Sequence, residues 1–166
     1  LETGALAEVM RSFAGAFGAD STVLFYEAFN YQPLRDAHRL LFDQPVVPFY
    51  RLDRSNHIVS FAADFLETWV SPVQFARQYA QFRLRPNARF DYVGPRLSMT
   101  AANADALHKV SPSQLAAFAM AVVRKVGERE ALPNSDAIRQ TVDAFFQTQP
   151  EALERLDARQ VDEVAR

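Results

Sequence analysis

The chain has 166 residues and a mass of 18.7 kDa, the size of one ordinary domain that buries its core without disulfide or metal staples. Hydrophobic residues make up 49% and charged residues 23%, which excludes an intrinsically disordered chain. The net charge of -2 leaves no basic excess to bind nucleic acid, and the absence of cysteine excludes disulfides, a thiolate nucleophile and cysteine-held zinc or iron-sulfur sites in this stretch.

The start of the chain and its apolar runs bear on where the protein resides. No apolar run approaches the roughly 20 residues that cross a bilayer, so the sequence predicts no membrane span. The chain begins at Leu1 without an initiator methionine or a signal-peptide pattern. We therefore expect a piece of a longer polypeptide, whose other parts hold any targeting signals and cofactor ligands.

The N-terminal part of the sequence predicts two helices with a strand between them. Apolar residues recur at helical spacing from Leu6 to Phe17, and Gly18 follows as a left-handed stop. Residues 21–27 form a nearly continuous apolar run, typical of a strand buried on both faces. Residues 33–42 predict the second helix, with a proline in its first turn, and residues 43–56 an extended loop.

The middle of the sequence alternates strand and helix signals. Residues 57–62 and 89–93 are short apolar runs typical of buried strands. After each strand comes a capping signature, Ser71-Pro72-Val73-Gln74 and later Ser111-Pro112-Ser113-Gln114, which predicts a helix start. Gly127 is expected to end the second of these helices. This alternation predicts an α/β fold, a Rossmann-like open parallel sheet with helices on both faces.

Beyond residue 128 the sequence has helical patterns and no strand-like run. The patterns cover 137–146, 150–156 and 160–165, with Asp157 as the expected cap of the last helix. We therefore predict an α/β domain over 1–128 and a C-terminal helical appendix over 129–166 that continues into another part of the parent chain.

The sequence lacks the common motifs of catalysis. It has no G-x-G-x-x-G, no P-loop and no G-x-S-x-G nucleophile elbow. The histidines His38, His57 and His108 form no metal-binding pair, and we interpret each as partly exposed or at the edge of the core, with His108 in a loop. Asp64 and Glu67 follow a strand and could form an acid/base pair if burial separated their pKa values. We favour helix capping by Asp64 and a solvated Glu67.

Three segments together resemble the molybdopterin oxidoreductase family: IVSFAADFLETWVSPVQFARQYAQFR, FDYVGPRLSMTAANAD and KVSPSQLAAFAMAVV. The order and spacing are similar to that family's strand-end turns, its acid-Pro-Arg motif and its Pro-Gly-Thr-acid helix start. The motifs ADFLETW and GPRLSMTAANAD look most like those of the large iron-sulfur, molybdopterin-like subunits of alternative complex III and related menaquinone reductase complexes.

The resemblance implies candidate cofactor positions, because in the family this domain holds one guanosine end of a molybdopterin guanine dinucleotide. The positions in this chain that match are Ala62, Asp64, Gly94, Arg96, Ser113 and Gln114. The chain departs from the family at most of them. Alanine replaces the turn glycine at 62, glycine replaces the acid at 94, and Ser113, Gln114 and Leu115 replace Gly, Thr and the acid.

These departures predict an eroded site with structural roles for what remains. We expect Arg96 to tie the strand end to its loop by charge-assisted hydrogen bonds. Phe65, Leu66 and Trp69 are expected to pack beneath the helix start.

The leading hypothesis is a module of a molybdopterin oxidoreductase-like subunit in a respiratory quinol or quinone electron-transfer complex, serving as a scaffold. The resemblance implies partner subunits of a membrane-bound complex at the periplasmic face, iron-sulfur clusters only elsewhere in the parent chain, no cofactor in this part and no catalysis by it alone. The alternatives are a working pterin guanine dinucleotide-binding domain of a catalytic oxidoreductase, and a free-standing α/β protein-interaction module.

Overall fold

The computed structural model describes residues 5–18, 21–24, 30–129 and 135–166. The chain divides into two compact units, one up to Tyr50 and one from Arg51 onward.

The first unit contains two helices, as the sequence predicts. Helix α1 spans Ala5–Gly15 and helix α2 spans Gln32–Phe42. Gly18 follows α1 with a φ of 118°, a left-handed conformation that glycine adopts without steric cost. The predicted strand is wrong over residues 21–24, which form no strand; Leu24 is 84% exposed, so it lacks the covered faces that a buried strand needs. Residues 25–27 of that prediction lie outside the described residues.

The second unit is built on a three-stranded parallel sheet, which confirms the predicted α/β class. Strand β1 spans His57–Phe61, β2 spans Arg89–Gly94 and β3 spans Ala106–Lys109. The spatial order is β1-β2-β3. His57 pairs with Arg89 across the first ladder, and Asp91 pairs with Ala106 across the second.

Strand β3 and a short helix before it lie where the sequence suggested only a loop. Helix α4 spans Met99–Ala102, and the Ser98 side chain caps it by accepting a hydrogen bond from the Ala101 amide. Strand β3 has four residues, of which His108 alone is buried, so it carries no apolar run for a sequence pattern to detect. The prediction that His108 lies in a loop is wrong.

One face of the sheet is covered by helix α3, Pro72–Arg83. Pro72 opens the helix as predicted, but the Ser71 side chain makes no capping hydrogen bond, so the predicted capping box is absent there. The layer between helix and sheet is aromatic: Phe65 contacts Phe90 with ring centroids 5.4 Å apart and Tyr79 at 5.9 Å. This layer anchors the turn that follows β1.

The opposite face of the sheet is covered by the C-terminal helices. They are α5 (Leu115–Arg129, after a 3-10 turn at Pro112–Gln114), α6 (Ser135–Thr148), α7 (Pro150–Glu154) and α8 (Ala158–Val164). Val93 of β2, Phe118 of α5, Val142 of α6 and Val161 of α8 belong to one buried cluster. The helices after residue 128 therefore share a core with the sheet, while the predicted domain boundary at 128/129 stays a prediction.

Two local predictions for these helices have opposite outcomes. Asp157 caps α8, because its carboxylate accepts a hydrogen bond from the Arg159 amide at 2.9 Å, as predicted. Gly127 does not end α5, which continues to Arg129. A glycine inside a helix costs only about 1 kcal/mol, and packing along the rest of α5 outweighs that cost. Within the described residues, no helix is both long and apolar enough to cross a membrane.

Candidate functional site

The candidate site lies at the carboxyl edge of the sheet, the edge where open parallel sheets bind ligands. The segments that follow β1 and β2 bring four of the six predicted positions together there. The Ala62 amide donates to the Val93 carbonyl at 2.8 Å, and Arg96 donates to Asp64. Ala62 and Val70, at the two ends of the turn after β1, have φ values of 54° and 53°. Left-handed backbone at residues that have a Cβ costs about 1–2 kcal/mol each, so the surrounding contacts hold this turn.

Asp64 is the centre of the hydrogen-bond network at this edge. One carboxylate oxygen accepts from the Tyr92 hydroxyl at 2.9 Å and also from the Ser98 hydroxyl. The other accepts from the Arg96 guanidinium at 2.8 Å. Three donors from the strand β2 side thus converge on a buried acid from the turn after β1. The predicted role of Arg96 as a tie between strand end and loop is confirmed.

The protonation of Tyr92 fits its role as a donor. Burial is the largest effect and raises the pKa of the Tyr92 hydroxyl above its ordinary value. The hydrogen bond with Ser98 lowers this pKa, the adjacent Asp64 carboxylate raises it, and Arg96 lowers it by a smaller amount. The phenol therefore keeps its proton at neutral pH and donates to the carboxylate. This bond fixes the ring of Tyr92, which is buried in the sheet face.

The favoured interpretation of Asp64 and Glu67 is wrong in both parts. The Asp64 carboxylate caps no helix because three side-chain donors occupy it, and Glu67 is not fully solvated, since one of its carboxylate oxygens is buried without a hydrogen-bond partner. That oxygen lies 3.8 Å from the Arg96 guanidinium. The predicted packing role is confirmed for Phe65, which is 3% exposed, and for Trp69, which stacks on Phe75 with centroids 5.7 Å apart.

Gly94 occupies its position for a steric reason. A Cβ on Gly94 would lie 2.6 Å from a ring carbon of Tyr92 and 3.2 Å from its hydroxyl oxygen. Real Cβ atoms do not approach that closely, and the hydrogen bond to Asp64 keeps the ring in place. Position 94 lacks the acid that the family has there, and the Tyr92 ring occupies the space that a side chain at 94 would need.

Ser113 and Gln114 lie on the 3-10 turn before α5 and contact the helical part of the chain. The Gln114 amide donates to the Arg155 carbonyl at 3.1 Å, and its carbonyl accepts from the Ser111 hydroxyl at 2.7 Å. The predicted second capping box is wrong, because Ser111 bonds side chains instead of the helix backbone. In the described part of the chain, no hydrogen bond joins Ser113 or Gln114 to Asp64. A cleft of about 380 Å³ lies beside them, and its other wall is formed by Thr148, Gln149, Pro150, Glu151, Ala152 and Arg155.

A second polar cluster, which the sequence analysis missed, lies on the α5 face of the sheet. Asp91 is completely buried, and its carboxylate contacts the ring nitrogens of His57 at 2.6 Å and His108 at 3.1 Å. Arg89 adds a bidentate pair at 2.7 and 2.9 Å, and also donates to the Glu163 carbonyl in α8 at 3.3 Å. The cluster ties all three strands to the last helix.

The charge of Asp91 follows from these contacts. Burial acts to raise the pKa of the Asp91 carboxyl, but the hydrogen bonds from Arg89, His108 and His57 outweigh it, so the pKa lies below its ordinary value. The sequence could have indicated the pairing of Arg89 with Asp91, because the two residues lie on the same face of one strand. It could not show that His57 and His108 join them, because that depends on the register between the strands. Among the described residues, no group of three or more acidic or histidine side chains has the arrangement of a metal site.

The chain belongs to the α/β class with an open parallel sheet. At the carboxyl edge of this sheet, the polar side chains hydrogen-bond one another. Against known proteins, the chain is similar to the menaquinone reductase, molybdopterin-binding-like subunit of Nitratidesulfovibrio vulgaris, with 25% identity over 170 aligned residues. The alignment includes 99% of this chain and 24% of that subunit, so the chain spans about a quarter of its relative's length. No family profile and no solved structure matches the chain.

Proposed function

We propose that this chain is a structural module of an oxidoreductase subunit, with a carboxyl edge that no longer holds a pterin dinucleotide. The similarity to a menaquinone reductase subunit supports the oxidoreductase setting. The scaffold role is supported above all by the Asp64 carboxylate. Both of its oxygens already accept hydrogen bonds, from Tyr92, Ser98 and Arg96. A guanine base presents N–H donors that need a free carboxylate.

Two further contacts do not fit a bound dinucleotide. The Tyr92 ring takes the space beside Gly94 where the family has an acid, as the resemblance implies. The Gln114 amide is engaged with the Arg155 carbonyl and the Ser111 hydroxyl, so it would have to release both to face a ligand. Both hydrogen bonds lie at the surface, so the release of each costs about 0.5–1.5 kcal/mol, which a ligand would have to offset.

The wider assignment follows from the resemblance. We propose that the parent subunit works in a membrane-bound respiratory complex that transfers electrons between a quinol or quinone and a partner subunit, of the menaquinone reductase or alternative complex III kind. Its iron-sulfur clusters lie in other parts of the chain, because this stretch has no cysteine. The proposed location is the periplasmic face of a bacterial membrane.

The experiment that tests the proposal is a small-molecule inventory of the intact parent complex. Mass spectrometry of the released compounds and a molybdenum and tungsten assay are applied to the purified complex, and its quinol oxidation and quinone reduction are assayed on the same sample. We expect less than about 0.1 pterin guanine dinucleotide per subunit, because the edge offers it no free acid. Stoichiometric dinucleotide would overturn the scaffold role. An intact complex without quinol or quinone activity would overturn the electron-transfer assignment instead.

A working dinucleotide-binding domain is the second candidate. It is favoured by the buried Glu67 oxygen that has no hydrogen-bond partner, and by the open cleft of about 380 Å³ beside Ser113 and Gln114. Under this candidate, Glu67→Gln would lower the dinucleotide content of the purified complex at least about tenfold. Under the scaffold role, the variant and the parent both lack the dinucleotide.

A further inference from the structure

Helix α1 turns a continuous apolar stripe toward water. Five large apolar side chains recur at helical spacing along the helix and in the turn after it, so they lie on one side: Leu6, Val9, Met10, Phe13 and Phe17. The rings of Phe13 and Phe17 meet edge to face with centroids 4.9 Å apart. The five side chains are between 41% and 71% exposed. A helix of a globular protein normally packs such a stripe against a core.

The covered side of α1 consists of small residues. Ala7 is 4% exposed and Ala14 is half-buried, and both lie beside the stripe instead of on it. Among the described residues, Ala7 is the one buried apolar residue of the first unit. A unit of this size needs a core, a metal or disulfides to be stable alone, and the chain has no cysteine. The first unit therefore depends on contacts beyond its own described residues.

Helix α2 shows the same deficit at its C-terminal end. Leu40, Leu41 and Phe42 are 86%, 73% and 63% exposed. No residue of α2 is buried. Both helices of the first unit thus present large apolar side chains to solvent, and exposed apolar surface of this extent marks an interaction site.

We propose that the apolar stripe of α1 packs against the rest of the parent polypeptide, as an interface within one subunit. This inference rests on the proposed function, which makes the chain a module of a longer subunit. The relative aligns with 99% of this chain, the first unit included, but only 24% of the relative takes part in the alignment. About three quarters of that subunit lies outside the aligned region, so the same polypeptide can supply the cover.

Size favours a segment of the same polypeptide over a separate chain or a second copy. The 11 residues of α1 are about 16 Å long, so its stripe buries less than the roughly 1,200 Å² of a stable interface between separate chains. A separate chain must also offset the translational and rotational freedom that it loses on association. A covalently joined segment is already close by and does not bear this cost.

Charge argues against a lipid surface as the cover. Helices that lie on membranes carry several lysines or arginines on their polar face, which attract anionic lipids. The charged residues of α1 are one acid and one base, Glu8 and Arg11. Their charges cancel, so the helix has no net positive charge to hold it at a membrane.

Single cysteines in the parent subunit can report whether the stripe is covered, because this chain has none of its own. Alkylation of Phe13→Cys by a maleimide is followed by peptide mass spectrometry in the parent subunit purified without its partners, in the intact complex and in guanidinium. Glu8→Cys is the matched control, since Glu8 is exposed on the opposite side of the same helix. We expect Phe13→Cys to react at least about tenfold more slowly than the control in both native samples, and equally fast in guanidinium.

Proteolysis gives a second measurement on the isolated parent subunit. Phe13→Asp places a charge in the proposed interface, whereas Phe13→Leu keeps the position apolar. We expect trypsin to cleave after Arg11 about tenfold faster in Phe13→Asp than in the unmodified subunit, with Phe13→Leu close to the unmodified rate. Equal cleavage of all three would contradict an interface at this position.

The outcomes separate this inference from the proposed function. Protection of Phe13→Cys in the intact complex alone would overturn the inference and assign the stripe to a partner subunit. Equal alkylation of the two cysteines in subunit and complex would overturn it and leave the proposed function standing. A native protein with an intact mass near 18.7 kDa would have no parent polypeptide, which would overturn both.

Discussion

Gly94 and Gly127 differ in what a methyl group would meet, and this difference gives a matched pair of predictions at the residue scale. A Cβ on Gly94 would collide with the Tyr92 ring, whereas nothing lies within 4 Å of a Cβ on Gly127. We expect Gly94→Ala to lower the free energy of unfolding by about 1–3 kcal/mol through overpacking. Gly127→Ala should raise it by about 0.5–1 kcal/mol, because alanine is the better helix former. Urea unfolding of both variants checks the signs, and a neutral Gly94→Ala would contradict the packing described.

Asp91 gives a second prediction at this scale, on pH. Because its folded-state pKa is below the ordinary value, its stabilisation is present above the unfolded pKa of about 4 and is lost as pH falls through the folded pKa. Asp91→Asn should lower the free energy of unfolding by about 3 kcal/mol at pH 7, since Arg89 and the two histidines lose their anion.

Unfolding titrations between pH 2 and pH 6 give the measurement. The unmodified chain should lose more stability on acidification below about pH 4 than Asp91→Asn does. Asp162→Asn is a suitable control, because Asp162 is also acidic and paired but lies at the surface, 40% exposed. Parallel pH profiles for the parent chain and Asp91→Asn would argue against the charged, hydrogen-bonded carboxylate.

At the scale of elements, the sequence predicted those helices and strands that have a local signal. Strands β1 and β2 are apolar runs, and α2 and α3 begin at or next to a proline, so all four were predicted close to their observed bounds. Strand β3 was missed because its pairing with β2, not its composition, makes it a strand. The strand prediction for residues 21–24 was wrong for the opposite reason: the run is apolar, but within the described part of the chain no strand pairs with it.

In the candidate site, too, only the contacts with a local sequence signal could be predicted. Motif order predicted that Arg96 ties strand end to loop, and the structure has that contact with Asp64. The other donors to Asp64 could not be predicted, because Tyr92 reaches it only through the pleat of β2 and Ser98 only through the start of α4. The Asp91 cluster was missed for a stronger reason: its four side chains come from three strands, and their meeting depends on register.

Helix α8 supplies the prediction for this scale. Its N-terminal amide groups rely on Asp157, which accepts from the Arg159 amide at 2.9 Å. Asp157→Ala should lower the free energy of unfolding by about 1 kcal/mol, and Asp157→Ser should recover most of the loss because serine also caps helices. Thermal unfolding of the two variants checks this, and equal losses for alanine and serine would show that the charge, not the cap, matters.

At the scale of the whole molecule, the cores on both faces of the sheet are formed by residues of the second unit. The aromatic layer under α3 and the cluster around Phe118 and Val142 all lie beyond Tyr50. We therefore expect residues 51–166 produced alone to fold, with cooperative unfolding and protected amides in β2. Hydrogen exchange measured by NMR checks this. Uniformly fast exchange in β2 would show that the sheet depends on the first unit.

Trp69 is the one tryptophan of the chain, and it stacks on Phe75 at the carboxyl edge. Intrinsic fluorescence excited at the red edge of the absorption band therefore originates almost entirely from this corner of the molecule. The protein carries its own optical probe there. A change in emission on assembly would report on the surroundings of this edge without any added label. Structural changes around the buried Asp91 cluster on the opposite face would alter the emission very little.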